Sequence, residues 1–191
     1  MPNKGRSFPA DIFNNEELDR FFDTFGESYT HRRNRLIFRL ALRGQLRCSE
    51  ILDLRVSDID TKRQTILVRK GKGNKRRVIG IDTNTCRELD TWMTTRAHNE
   101  NDILFASHRG HPLDTSYVRK LAHRHGILAK IGRRVAPHLF RHSGACHLAG
   151  EGVDIRIVSK QLGHSNSAVT SRYIDHLRPD EVIDRVSRVQ W

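Results

Sequence analysis

Only three cysteines, Cys48, Cys86 and Cys146, occur in the 191 residues, and their odd number and unpaired spacing give no disulfide framework. Free thiols in a reducing compartment follow. No apolar run approaches the length that crosses a bilayer. Met1 to Ala10 lacks the apolar centre of a secretion signal, so a cytoplasmic location is expected. Acidic residues are also scarce: 22 against 34 lysines and arginines, a formal net charge of +12. So large a basic excess is unusual for a small-molecule enzyme and points to a polyanionic partner, nucleic acid before an acidic membrane surface. The length suits one compact domain, and the 37% of apolar residues suffice for a core. There is no internal repeat, low-complexity tract or dividing linker, so residues 1–191 read as a single domain whose first 13 residues are flexible.

Hydrophobic spacing predicts a largely helical chain. Asn14 or Asn15 caps a first helix through Leu18, Phe21, Phe22 and Phe25. A second covers 31–44, with Leu36, Ile37, Leu40 and Ala41 at helical spacing and Gly44 at its end. Ser49 reads as the cap of a short third helix. The period then falls to two around Ile66 and Val68, and again around Val78 and Ile81, with Gly71-Lys72-Gly73-Asn74 between them. This is a β-hairpin pattern, to which 56–59 can add a third strand. Further helices are expected near 84–98, 114–125, 137–150, 154–162, 167–175 and 179–190. Pro137 and Pro179 suit first helical turns. The predicted fold class is mainly α with a small three-stranded antiparallel sheet.

Several side chains could carry chemistry. His138 and Arg141 are three apart and share a helix face. Leu162-Gly163-His164 precedes Tyr173, nine residues beyond His164. Arg47 lies between two helices, three residues before Glu50, and Lys72 sits in the hairpin tip. Such a set meets the needs of phosphodiester transfer without a metal. Arginines can clamp the non-bridging oxygens through paired hydrogen bonds. Donors fixed in advance stabilise the charge of the transition state. A phenol of ordinary pKa about 10 needs a base or a strongly positive site to attack. A lysine can protonate the departing oxygen.

The segments Leu46-Arg47-Cys48-Ser49-Glu50, Gly71-Lys72-Gly73-Asn74-Lys75, Pro137-His138-Leu139-Phe140-Arg141-His142 and Leu162-Gly163-His164-Ser165, followed by Tyr173, resemble the tyrosine recombinases, or phage-type integrases, in their order and separation. The likeness covers roughly 14–174. It implies a catalytic domain that cuts and rejoins double-stranded DNA through a 3′-phosphotyrosyl link, without ATP, metal or other cofactor. By the same resemblance Arg47 and Arg141 bind the scissile phosphate and Lys72 protonates the 5′-oxygen. His138 helps take the tyrosine proton, His164 hydrogen-bonds the phosphate, Tyr173 is the nucleophile and Glu50 supports the first arginine. Four protomers would act on two DNA sites, the free protein being a monomer, with accessory proteins as further partners and the nucleoid as the place of action. The helix at 179–191 would dock in its own domain or on a neighbouring protomer. No counterpart of the separate N-terminal DNA-clamping (core-binding) domain of larger members is expected within these 191 residues, as in either a natural short form, like the fimbrial-switch invertases, or an excised catalytic domain.

Blander readings apply to each residue. Alone, Arg47 is a surface ion-pair partner of Glu50. The run Arg69-Lys70-Gly71-Lys72-Gly73-Asn74-Lys75-Arg76-Arg77 is a phosphate-tracking surface in which Arg69, Lys70, Lys75, Arg76 and Arg77 contact DNA, and Lys75 rivals Lys72 for the catalytic role. It is no ATPase phosphate loop, because no Gly-Lys-Ser or Gly-Lys-Thr stands at the required spacing. His138, His142 and Cys146 recur every four residues, a metal-like face with no fourth ligand. His142 reads as packed, His123 and His125 as solvent- or DNA-facing, and Tyr29 and Tyr117 as structural. Two rival functions remain: DNA relaxation by a type IB topoisomerase, and a non-catalytic DNA-binding accessory protein.

Overall fold

A computed structural model describes residues 12–69, 76–96 and 102–163. Lys70, Lys72, Lys75, His164, Tyr173 and the helices expected at 167–175 and 179–190 lie outside them. The described elements run α1 (Asn15–Asp23), α2 (Tyr29–Arg43), α3 (Cys48–Leu52), a 3₁₀ turn (Val56–Asp58), β1 (Ile59–Asp60), β2 (Thr65–Val68), β3 (Arg77–Gly80), α4 (Thr83–Thr95), α5 (Thr115–Leu128), α6 (Pro137–Gly150) and α7 (Ile155–Leu162). The sheet is antiparallel throughout in the order β1-β2-β3, with Ile66 opposite both Ile59 and Ile79. The fold class is the one the sequence predicts.

Local chemistry sets most boundaries. Asn14 caps α1 by accepting from the Glu17 N–H, and the Glu17 carboxylate returns a bond to the Asn14 N–H. Ser28, Asp82, Asp114 and Asp154 cap α2, α4, α5 and α7, each side chain accepting one backbone N–H of the first turn. Pro137 opens α6, where its missing N–H costs nothing.

Four details depart from expectation. Residues 56–58 turn instead of extending, because the Asp58 carboxylate folds back to accept the Arg55 N–H; the third strand is Ile59–Asp60. The cap of α3 is Arg47, not Ser49, since Glu50 accepts the Arg47 N–H at 2.9 Å. In β3 the inward residue is Ile79, and Val78 faces solvent. Phe13, expected in a flexible leader, is fully buried against Phe140, and its N–H donates to Ser143 Oγ.

The core explains why α6 is held firmly. Phe140 packs 4.6 Å from Phe13, 4.7 Å from Phe21 and 5.0 Å from Phe38, ring centre to ring centre. These rings come from the segment before α1, from α1 and from α2. Burial of each contributes about 1.5–3 kcal/mol. Gly144 lets α6 lie directly on the end of α2: a Cβ there would stand 1.8 Å from the Leu42 carbonyl oxygen. Phe140 and Gly144 thus anchor the face of α6 beside Arg141.

His125 is a further correction. It is buried, stacks on Phe25 at 3.9 Å, and shares a 2.7 Å hydrogen bond with Thr24 Oγ1. The Thr24 hydroxyl donates its proton to the Phe21 carbonyl, which assigns the ring proton to Nδ1. Burial, reinforced by the charges of His31 and Arg124, lowers the imidazole pKa to about 4. The fold therefore holds His125 neutral while the unfolded chain takes up a proton below its ordinary value of about 6.5. Its contribution is complete above that value and is lost as pH falls toward about 4, a change on the order of 3 kcal/mol. Urea unfolding at a series of pH values should show this slope in the parent and a flatter one in His125→Phe; equal slopes would refute the assignment.

Candidate active site

Glu50 is the centre of the site. Its side chain is 3% exposed and lies on α3, the short helix that Arg47 caps. Three guanidinium groups from separate parts of the chain meet on it. Arg47 Nη1 donates to Oε1 at 2.8 Å. Arg77, from β3, bridges both oxygens, Nη1 to Oε1 at 2.9 Å and Nη2 to Oε2 at 2.8 Å. Arg141, from α6, lies 3.7 Å from Oε2. Burial alone would push the Glu50 carboxyl up, but the hydrogen bonds from Arg77 and Arg47 outweigh it and hold the group below the usual carboxylate range. The cluster of one anion and three cations keeps a net positive charge of about two, a field suited to an anionic phosphate.

Arg141 also organises the chain ends around it. Its Nη1 donates to the Gln45 carbonyl and its Nη2 to the Leu162 carbonyl at 2.7 Å. Arg77 Nε donates to the Gln161 carbonyl at 3.3 Å. Two carbonyls left open at the end of α7 are therefore satisfied by arginines whose charge also suits the negative end of the helix. Gly163 follows in the left-handed conformation, φ +65°, where a Cβ would strike the Arg77 side chain at 2.8 Å. This explains the glycine of Leu162-Gly163-His164: the turn needs it, and Arg77 occupies the space beside it. The Gln161 side chain pairs with both the N–H and the carbonyl of Gly80, tying α7 to β3.

Above Glu50 a cleft of about 250 Å³ is lined by Arg47, Cys48, Arg119, Arg134, His138 and Arg141, among others. His138 is exposed in the first turn of α6, while Arg141, one turn on, is buried below it. The Arg47 side chain is 30% exposed and that of Arg141 only 2%. Cys48 is no thiolate there, since burial pushes its pKa up to about 11. Among the described residues no three His, Cys, Asp or Glu side chains are grouped to hold a metal.

The structure thus brings Arg47, His138 and Arg141 to one cleft, with buried Glu50 held against the two arginines. It divides the basic run: Arg76 is exposed, and Arg69 pairs with buried Asp58 at 2.5 Å while its side chain stays 38% exposed. Arg77, read as a surface DNA contact, is instead turned inward with its side chain 12% exposed. Sequence reasoning missed Arg119 and Arg134 in the cleft and Gln161, which meets Arg77 and Gly80. The first two carry no local signal beyond positive charge.

Residues 12–179 match the phage integrase family. The chain belongs to that family. This phage integrase family chain is 37% identical over 183 residues to tyrosine recombinase XerA of Thermococcus kodakarensis, spanning 93% of the present chain and 63% of the relative. It is 32% identical over 193 residues to tyrosine recombinase XerC of Halalkalibacterium halodurans, spanning 96% and 63%. It therefore covers somewhat less than two thirds of these relatives' length. Its fold superposes on the crystal structure of XerA recombinase with a TM-score of 0.82 at 27% identity, covering 97% of this chain and 68% of the other. It also superposes on XerH site-specific recombinase bound to palindromic difH substrate in a post-cleavage complex, with a TM-score of 0.76 at 29% identity and coverage of 93% and 52%. Among the described residues, no helix is long and apolar enough to cross a membrane.

Proposed function

We propose that this chain cleaves and rejoins double-stranded DNA in site-specific recombination, forming a covalent link between Tyr173 and the 3′-phosphate. The observation that carries this reading is the convergence of Arg47 and Arg141 on Glu50 beneath a cleft rimmed by His138. Arg47 lies between α2 and α3 and Arg141 on α6, so only the folded chain unites them. A phosphodiester entering the cleft would place its two non-bridging oxygens toward these guanidinium groups. Attack by the Tyr173 oxygen forms one P–O bond and breaks the bond to the 5′-oxygen. His138 helps accept the phenol proton, His164 hydrogen-bonds the phosphate and Lys72 protonates the departing oxygen. The number of phosphoester bonds is unchanged, so neither ATP nor a redox partner is needed for rejoining. Charge that a metal would otherwise balance is supplied by the arginines.

Arg69, Lys70, Lys75 and Arg76 would contact the DNA backbone, making binding fall steeply with salt. Strand exchange between two sites requires four protomers, assembled on DNA from monomers, at the nucleoid. The likeness to XerH in complex with its difH substrate favours recombination over relaxation of a single duplex. The test is a nicked suicide substrate carrying the native site, incubated with the protein in excess EDTA. A denaturant-resistant protein–DNA adduct is expected at full yield. Its absence, or an adduct formed only after a divalent ion is restored, would overturn the metal-free reading. A two-site exchange assay beside a supercoil-relaxation assay separates the recombinase from a topoisomerase.

A further inference from the structure

We infer that Arg77 is a positioning residue of the active site and not a DNA contact: it occupies Glu50 from below so that Arg47 and Arg141 remain available to the phosphate. The inference rests on the reading proposed above and adds a residue to it.

The geometry gives each Glu50 oxygen two hydrogen bonds. Oε1 accepts from Arg47 Nη1 and Arg77 Nη1, and Oε2 accepts from the Arg47 N–H and Arg77 Nη2. Arg77 supplies half of these, through a planar fork that matches the carboxylate. Without it, the remaining cations around a buried anion would be Arg47 and Arg141, the two groups a phosphate must also use. Glu50 would then either draw them inward or take up a proton. Both outcomes impair the phosphate site without removing any group that touches DNA.

A second set of contacts points the same way. Arg77 Nε holds the Gln161 carbonyl, its side chain fills the space that Gly163 leaves open, and Gln161 grips Gly80 three residues beyond Arg77. One side chain therefore fixes both the carboxylate under the arginines and the end of α7, immediately before His164. Its inward direction also follows from strand alternation, because Arg77 shares the face of the core residue Ile79.

The test compares Arg77→Met and Arg77→Lys with the parent in single-turnover cleavage of the suicide substrate and in DNA binding over a range of salt. Arg77→Met should lower cleavage by ~100-fold, as misplaced catalytic groups do. It should leave unchanged the slope of log affinity against log salt. Arg77→Lys keeps the charge but cannot bridge both oxygens, so it should recover only part of the rate. In Arg77→Met the Glu50 carboxyl loses two of its four hydrogen bonds, so its pKa should move upward and the rate should gain a pH dependence that adding Glu50→Gln removes. Parental cleavage in Arg77→Met would overturn the inference. So would a salt slope reduced by about 0.9, the mark of a lost phosphate contact. If Arg77→Met does not fold, Arg77→Lys decides: a fully parental rate overturns the need for the fork. If the parent forms no adduct, the recombinase reading itself fails, and the salt slopes still separate an internal arginine from a phosphate contact.

Discussion

Tyr173→Phe is expected to abolish the covalent adduct and leave DNA binding, including its salt dependence, unchanged. The chemical step needs an oxygen nucleophile, and removing one hydroxyl takes no cation from the DNA-facing surface. Neither tyrosine among the described residues lines the cleft, and the described thiols are shifted away from the thiolate. Cys48 lines the cleft, but burial pushes its thiol pKa up to about 11; burial likewise pushes Cys146 up to about 12. Cys86 is also buried and shifted upward. The Tyr117 hydroxyl is engaged by Arg33 at 2.8 Å and by Asn34 at 3.0 Å, and the Tyr29 ring packs on Trp92 at 4.9 Å. Incubation with a nicked substrate followed by denaturing electrophoresis gives the answer directly. An adduct formed by the Phe variant would end the assignment of Tyr173.

Arg141→Ala should be nearly as severe, for two separable reasons. Loss of a transition-state arginine lowers phosphoryl-transfer rates by ~1000-fold or more. The substitution also leaves the Gln45 and Leu162 carbonyls without this donor and removes a counter-charge from Glu50. Glu50 keeps its four hydrogen bonds from Arg47 and Arg77, so the stability loss comes mainly from the two buried carbonyls, about 1–3 kcal/mol for each one left unsatisfied. The variant should therefore unfold at lower urea concentration and also cleave poorly where it is still folded. Arg47→Ala should show the rate loss with less destabilisation, since its side chain is 30% exposed and its backbone N–H still binds Glu50. A stable Arg141→Ala that cleaves normally would contradict both parts.

The sequence reveals these elements unevenly. Helix α6 was legible to the residue, because Pro137 marks its start and His138 and Arg141 share a face at helical spacing. The hairpin was legible from its two alternating runs, but its inward set was not. Placing the alternation on Val78 and Ile81 passed over Ile79, which shares its face with Arg77. Alternation from Ile79 would have turned Arg77 inward and removed it from the DNA-facing run. His125 was misplaced for a similar reason. It completes the buried stripe Val118, Leu121, Ala122, His125 on α5, but its polarity and the adjacent exposed Arg124 suggested the surface. The role of Glu50 was legible only in part. Its spacing from Arg47 is local, whereas its contacts with Arg77 and Arg141 depend on tertiary packing that no short spacing encodes.

In the proposed reaction two arginines, brought together from distant segments, cancel the negative charge of one phosphate. A substrate in which a methyl group replaces one non-bridging oxygen of the scissile phosphate carries no such charge. Cleavage of this neutral methylphosphonate should be compared with that of the ordinary substrate for the parent, Arg47→Ala and Arg141→Ala. The prediction is a loss of ~1000-fold on the phosphate for each variant, largely restored on the neutral substrate. An equal loss on both substrates would show that these side chains do something other than balance charge, and would contradict the central claim.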